Sequence, residues 1–170
     1  MHLASMRSLF MAGILLAGGG LGLLGQAPTP PVGGSVPGEP PKVEVPADCL
    51  HCGMNRTQFA RSRMKVGYED GGSAGTCSIH CTAIELAAQA GRKVTALQVG
   101  DYGVLGHPLI DARTASWVIG GSVRGVMTPV AKWAFSSKAA AETFIAKNGG
   151  RMASCDEAIE AARQDPQKRH

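Results

Sequence analysis

The sequence predicts an α+β fold of two similar β-β-α-β units, with mostly antiparallel sheet and a C-terminal helix. Three observations carry this expectation. Hairpin signals, rather than lone strands, alternate with helical patterns. A strand–helix–glycine order recurs at an offset of 58 residues, placing Cys77-Ser78 on Phe135-Ser136 and Gly91 on Gly149. Ser154, with Glu157 three positions later, has the spacing of a capping box and opens a final helix.

Residues 63–69 (RMKVGYE) alternate apolar and polar side chains, as a half-buried strand does. Asp70-Gly71-Gly72 is a hairpin signal, and residues 73–77 form the returning strand. Ser78 is placed as an N-cap, Ile79, Ala83, Ala87 and Ala90 follow at helical spacing, and Gly91 ends the helix. Residues 93–99 (KVTALQV) alternate again. The second unit opens with strand-like segments at 109–111 and 116–119, followed by Gly120-Gly121. Residues 131–135 make a short strand. Ser136 or Ser137 then caps a helix running to about Lys147, closed by Asn148-Gly149-Gly150. Trp117, Phe135 and Phe144 fall at apolar positions and are expected in the core.

The chain has 170 residues, of which 44% are hydrophobic and 18% charged, with a formal net charge of +4. So low a charged fraction excludes a solvated disordered chain or a long coiled coil. The positive charge is modest and scattered, and calls for no nucleic acid. The N-terminal portion differs in kind from the rest. Arg7 precedes an apolar run over 9–24, the layout of a secretory signal. Gly25-Gln26-Ala27 suits cleavage while Pro28 disfavours it, so 1–27 reads as a signal peptide or an N-terminal anchor, a membrane tether. Residues 28–47 form a Pro/Gly-rich linker, 48–164 the folded domain and 165–170 a flexible tail. No Ser-His-Asp order, phosphate loop or Walker lysine is present, and no enzymatic activity is expected.

Sulfur carries the chemistry. Cys49-Leu50-His51-Cys52-Gly53-Met54 places two thiols on one tight turn, and Gly53 permits the sharp bend that brings Met54 back toward them. Cys77 and Cys81, four apart across a helix start, share a face, and the helix N-terminus favours their thiolates. Three chemistries fit these four cysteines: a structural Zn(II) site, a pair of disulfides in an oxidising compartment, or a soft Cu(I) site. Met54, and Met127 in the loop Arg124-Gly125-Val126-Met127-Thr128-Pro129, favour Cu(I), because zinc rarely takes a thioether. His80 is a further candidate ligand, while His51 and His107 rank lower. Cys155, the odd thiol, is expected to be packed or free. Covalent haem attachment fails because Gly53, not histidine, follows Cys52.

From Cys52-Gly53-Met54 the pattern continues through Gly75-Thr76-Cys77-Ser78, Val99-Gly100-Asp101-Tyr102 and Ile110-Asp111-Ala112-Arg113. It then runs through Trp117-Val118-Ile119-Gly120, Gly125 and Met127, and closes with Ala134-Phe135, Ala141, Phe144 and Gly149-Gly150. In this order and spacing the chain resembles the NosL family, exported copper-binding accessory proteins of nitrous oxide reductase maturation. The resemblance implies a fold of two β-β-α-β units and Cu(I) held by sulfur and handed to a copper-receiving protein or membrane assembly complex. It carries the metal positions onto Cys52, Met54 and Met127, and implies a periplasmic or other extracytoplasmic location, free or anchored to the inner membrane. The chain departs from the family in lacking a lipid-attachment cysteine and in adding Cys49 and Cys81, with His51 and His80 beside the thiols. That leaves a Zn(II)-stabilised adaptor and a thiol–disulfide protein as alternatives.

Overall fold

A computed structural model describes residues 46–166. The leader, nearly all of the linker and the end of the tail lie outside the described residues. The first unit comprises β1 (Met64–Tyr68), β2 (Ser73–Thr76), α1 (Ile79–Ala88) and β3 (Val94–Gly100). The second comprises β5 (Ser116–Ile119), β6 (Lys132–Phe135), α2 (Lys138–Asn148) and β7 (Arg151–Ala153). Between them stands β4 (Leu109–Asp111), and α3 (Cys155–Arg163) closes the chain.

The two units share one topology. In each, the first strand is central and pairs antiparallel with the second and with the strand that follows the helix, giving sheets ordered β2-β1-β3-β4 and β6-β5-β7. One assignment changes. Residues 109–111 were expected to open the second unit, but β4 instead extends the first sheet, with Gly100 opposite Leu109 and Gln98 opposite Asp111. The turn after β3 brings this about. Asp101 N–H donates to the Pro108 carbonyl, folding the chain back beside the strand it has just left.

The strands of the second unit face two apolar clusters because their side chains alternate. Trp117 and Ile119 of β5 enter one cluster with Met64, Val66, Leu97 and Ala158, while Val118 enters the other with Trp133, Phe135 and Phe144. Trp133 and Phe135 therefore share a face of β6, and Ala134 takes the opposite one, so every residue of this strand is buried. Full burial of such side chains contributes about 1.5–3 kcal/mol each. The four clustered cysteines line the second apolar cluster, and Cys155 belongs to the first.

Local chemistry sets the helix starts. Ser137 Oγ accepts from Ala140 N–H, and Ser154 with Glu157 forms the expected capping box. Ser78 has extended backbone at the N-cap of α1, yet its side chain caps nothing; its carbonyl instead accepts from Thr82 N–H and Oγ1. Asp101 and Asp111 stabilise turns, accepting from Gly103 and Ser136 N–H, and from Arg113 and Thr114 N–H. The domain boundary read after Gln164 stops one residue short of a buried ion pair. Asp165 Oδ2 accepts from the fully buried Lys132 Nζ at 2.7 Å. Among the described residues, no helix is long and apolar enough to cross a membrane.

Candidate metal centre

Two short segments, far apart in sequence, build the site. The first is the turn over 49–54. Cys49 N–H donates to the Met54 carbonyl and Gly53 N–H to the Cys49 carbonyl, closing the turn on itself. Gly53 has φ +70°, the left-handed conformation expected of the bend. The second is the junction of β2 and α1, where Cys77 directly follows the strand and Cys81 lies in the first turn of the helix.

The two segments are tied together by backbone and by buried charge. Leu50 N–H donates to the Gly75 carbonyl. Arg56, fully buried, spreads its guanidinium over three carbonyls: Nη1 to Pro46, Nε to Thr76 and Nη2 to Met64. The fork thus joins the entry to the turn, the end of β2 beside Cys77, and β1. A methyl group on Gly75 would stand 2.7 Å from Arg56 Cζ, so the absence of a side chain there is what lets the guanidinium lie flat under β2.

The outcome is one cluster of four thiols. The Sγ atoms of Cys49, Cys52, Cys77 and Cys81 all lie within 4.8 Å of one another. Cys52 is 3.4 Å from Cys77 and 3.7 Å from Cys81, and Cys77 is 3.8 Å from Cys81. All are free thiols. A four-coordinate ion with metal–sulfur bonds of about 2.3 Å sets sulfur–sulfur edges of about 3.8 Å. The spacing therefore fits one soft ion inside the four sulfurs. Cys49, Cys77 and Cys81 are buried, whereas Cys52 is half-buried and forms the accessible edge.

Proton sharing orders the metal-free cluster. Hydrogen bonds from the Cys77 and Cys81 thiols hold Cys49 far below the ordinary thiol range, against the opposing effect of burial. Cys77 and Cys81 are pushed up, first by their bonds to Cys49, with burial adding in the same direction. The neighbouring thiols thus shift acidity toward Cys49 and away from Cys77 and Cys81.

The other candidates take distinct places. Met54 and Met127 are half-buried and pack against the same apolar cluster that the four cysteines line. Met127 has φ +59°, a conformation uncommon for a side chain of its size. His80 is buried at the start of α1, with Nδ1 3.9 Å from Asp165 Oδ2, and neither it nor His51 belongs to the four-thiol group. His80 and Met127 together line a cavity of about 470 Å³ with Arg124, Thr128, Pro129 and Pro166. His107 is structural: its Nδ1 lies 2.8 Å from the Asp101 carbonyl. Cys155 is buried apart from the cluster, and burial pushes its thiol up to about 11. Sequence reasoning missed Arg56 and Glu85. Glu85 had a legible signal, lying four residues after Cys81 and hence on the same face of α1.

The NosL family model matches residues 40–162. The chain belongs to the NosL family. Among solved structures it is similar to the crystal structure of the copper chaperone NosL from Shewanella denitrificans, at 25% identity and a TM-score of 0.59, covering 74% of this chain and 99% of that one. It also matches the solution structure of apo-NosL from Achromobacter cycloclastes at 23% identity and a TM-score of 0.40, over 55% of this chain and 82% of that one. A search of curated proteins finds no match. A NosL-family chain with four converging thiols is suited to binding a soft metal ion, which supports a copper-binding accessory function.

Proposed function

We propose that this protein is an exported Cu(I)-binding metallochaperone that passes copper to a partner, the nitrous oxide reductase maturation machinery being the recipient that the family suggests. The observation that supports this best is the convergence of four sulfurs with one accessible edge, Cys52, in a NosL domain. Thiolates suit both Cu(I) and Zn(II), and thioethers beside them favour Cu(I). Export and a periplasmic location rest on the N-terminal sequence and on the family, as does the possible tether.

The proposed mechanism is ligand exchange, without a change in oxidation state. A sulfur ligand of the partner approaches the ion at the Cys52 edge, and the Cys52–metal bond breaks as the new one forms. The buried Cys49, Cys77 and Cys81 would then be displaced in turn. Met54 and Met127, packed on the same cluster, would supply labile thioethers along the way. The protein's role is carriage, and no bond of a substrate is made or broken.

A second reading is favoured by the near-tetrahedral spacing of the thiols. Zn(II) held by the same four thiolates would make the protein a zinc-stabilised adaptor. Anaerobic competition of the reduced protein between Cu(I) and Zn(II) separates the two. The copper reading predicts tighter Cu(I) binding, and slower Cu(I) transfer to a thiol acceptor in Met54→Ala and Met127→Ala. Tighter Zn(II) binding, unaffected by either substitution, overturns it. Rapid dithiol exchange without any metal would point instead to a thiol–disulfide protein.

A further inference from the structure

We propose that Glu85 is a positioning residue for the four-thiol centre, acting through His51 to hold the Cys49–Cys52 turn against helix α1. The inference rests on these four thiols forming one metal centre, and not on which metal or partner the protein serves.

The centre has two halves. Cys81 sits in the first turn of α1, and Cys77 in the two-residue connection between β2 and α1. Cys49 and Cys52 sit on a turn outside either sheet, joined to β2 by Leu50 N–H and by the Arg56 fork. Neither tie reaches the middle of the turn on the side facing α1. His51 does. Its Nε2 lies 2.9 Å from Glu85 Oε2, and as N–H it donates to the carboxylate. His51 stands between the two cysteines of the turn, and Glu85 stands one helical turn beyond Cys81. The bond therefore connects the turn that carries Cys49 and Cys52 to the helix that carries Cys81.

Glu85 is itself immobilised. It is only 2% exposed, and its other oxygen, Oε1, accepts from Tyr68 Oη at 2.7 Å. Burial, with Glu85 adding to it, pushes the Tyr68 phenol up to about 12, so the phenol keeps the proton it donates. The Arg92 guanidinium lies 3.7 Å above the Tyr68 ring and is gripped by both Asp70 oxygens. A relay Asp70–Arg92–Tyr68–Glu85–His51 thus runs from the β1–β2 hairpin to the turn. An acidic side chain buried at a helix position is costly unless both oxygens are satisfied. Here both are, and one partner is the residue between two metal-ligand candidates. Outer groups that orient a metal site in this way are each worth about 10- to 100-fold in affinity.

The test uses Co(II) as the probe, whose absorption bands report the number of thiolates and a tetrahedral geometry. Wild-type protein should give tetrathiolate bands. Glu85→Ala and His51→Ala should each weaken those bands and lower Co(II) affinity about 10- to 100-fold. Glu85→Gln, which keeps an acceptor oxygen, should restore most of both. The double variant Glu85→Ala/His51→Ala should be no worse than either single one, because the two residues act as one connection. Should the buried Glu85→Ala variant fail to fold, His51→Ala against wild type still decides, since His51 reaches solvent. Unchanged bands and affinity in His51→Ala, or additive losses in the double variant, overturn the proposal while leaving the centre intact. Wild-type protein without tetrathiolate bands overturns the centre as well.

Discussion

Cys52 Sγ lies 3.4 Å from Cys77 Sγ across 25 residues of sequence. The contact depends on the turn over 49–54 being laid onto β2, and that seating depends on Gly75. Its carbonyl receives Leu50 N–H, and its missing side chain makes room for Arg56. Gly75→Ala should force the guanidinium out of its place and cost about 1–3 kcal/mol, as overpacking of a filled interior does. Weaker metal binding should accompany the loss. Urea denaturation and metal titration of the same sample check both, and a variant unchanged in each would show that Arg56 does not seat the turn.

Metal affinity should rise steeply with pH. Cys77 and Cys81 are raised above the ordinary thiol value by the neighbouring thiols and by burial. An entering ion binds thiolates, so it must expel the protons that these groups hold near neutral pH. Apparent affinity near neutral pH should therefore climb about tenfold or more per pH unit, the slope of a release of one proton or more. Competition titrations at several pH values measure that slope, and a flat profile would contradict the proton-sharing cluster.

Stability of the metal-free protein should fall above pH 9. Cys155 is raised from 9.0 to about 11 by burial, and Tyr68 from 10.0 to about 12 by burial and Glu85. Both groups have folded values above their unfolded ones. The unfolded chain then sheds these protons first, and their contribution, complete below pH 9, drains away between pH 9 and 12. Cys77 and Cys81 act in the same sense. Cys155→Ala isolates one part, and its Tm should fall less than that of the parent between pH 9 and 11. A steeper fall in that variant would mean that Cys155 ionises freely in the fold.

Much of the fold could be read from local signals. The Asp70-Gly71-Gly72 turn, the Ser154 capping box and the helix closed by Gly149 are each written in a few adjacent residues, and the doubled order follows from them. The place of β4 could not be read this way. Its partner is set by the Asp101–Pro108 turn, and nothing in Leu109-Ile110-Asp111 itself distinguishes one sheet from the other. In the site, the spacing of Cys77 and Cys81 already placed them on one face. That Cys49 and Cys52 join them is a long-range event, fixed by a buried arginine and by a histidine–glutamate bond whose partners stand 34 residues apart.

The central claim is that the four clustered cysteines hold one Cu(I). X-ray absorption at the copper edge, on anaerobic protein loaded with a single equivalent of Cu(I), tests it most directly. The account predicts a first shell made only of sulfur, with metal–sulfur distances of about 2.3 Å, that is lost when all four clustered cysteines are replaced by serine. A shell dominated by nitrogen or oxygen, or an unchanged sulfur shell after that fourfold replacement, would contradict it.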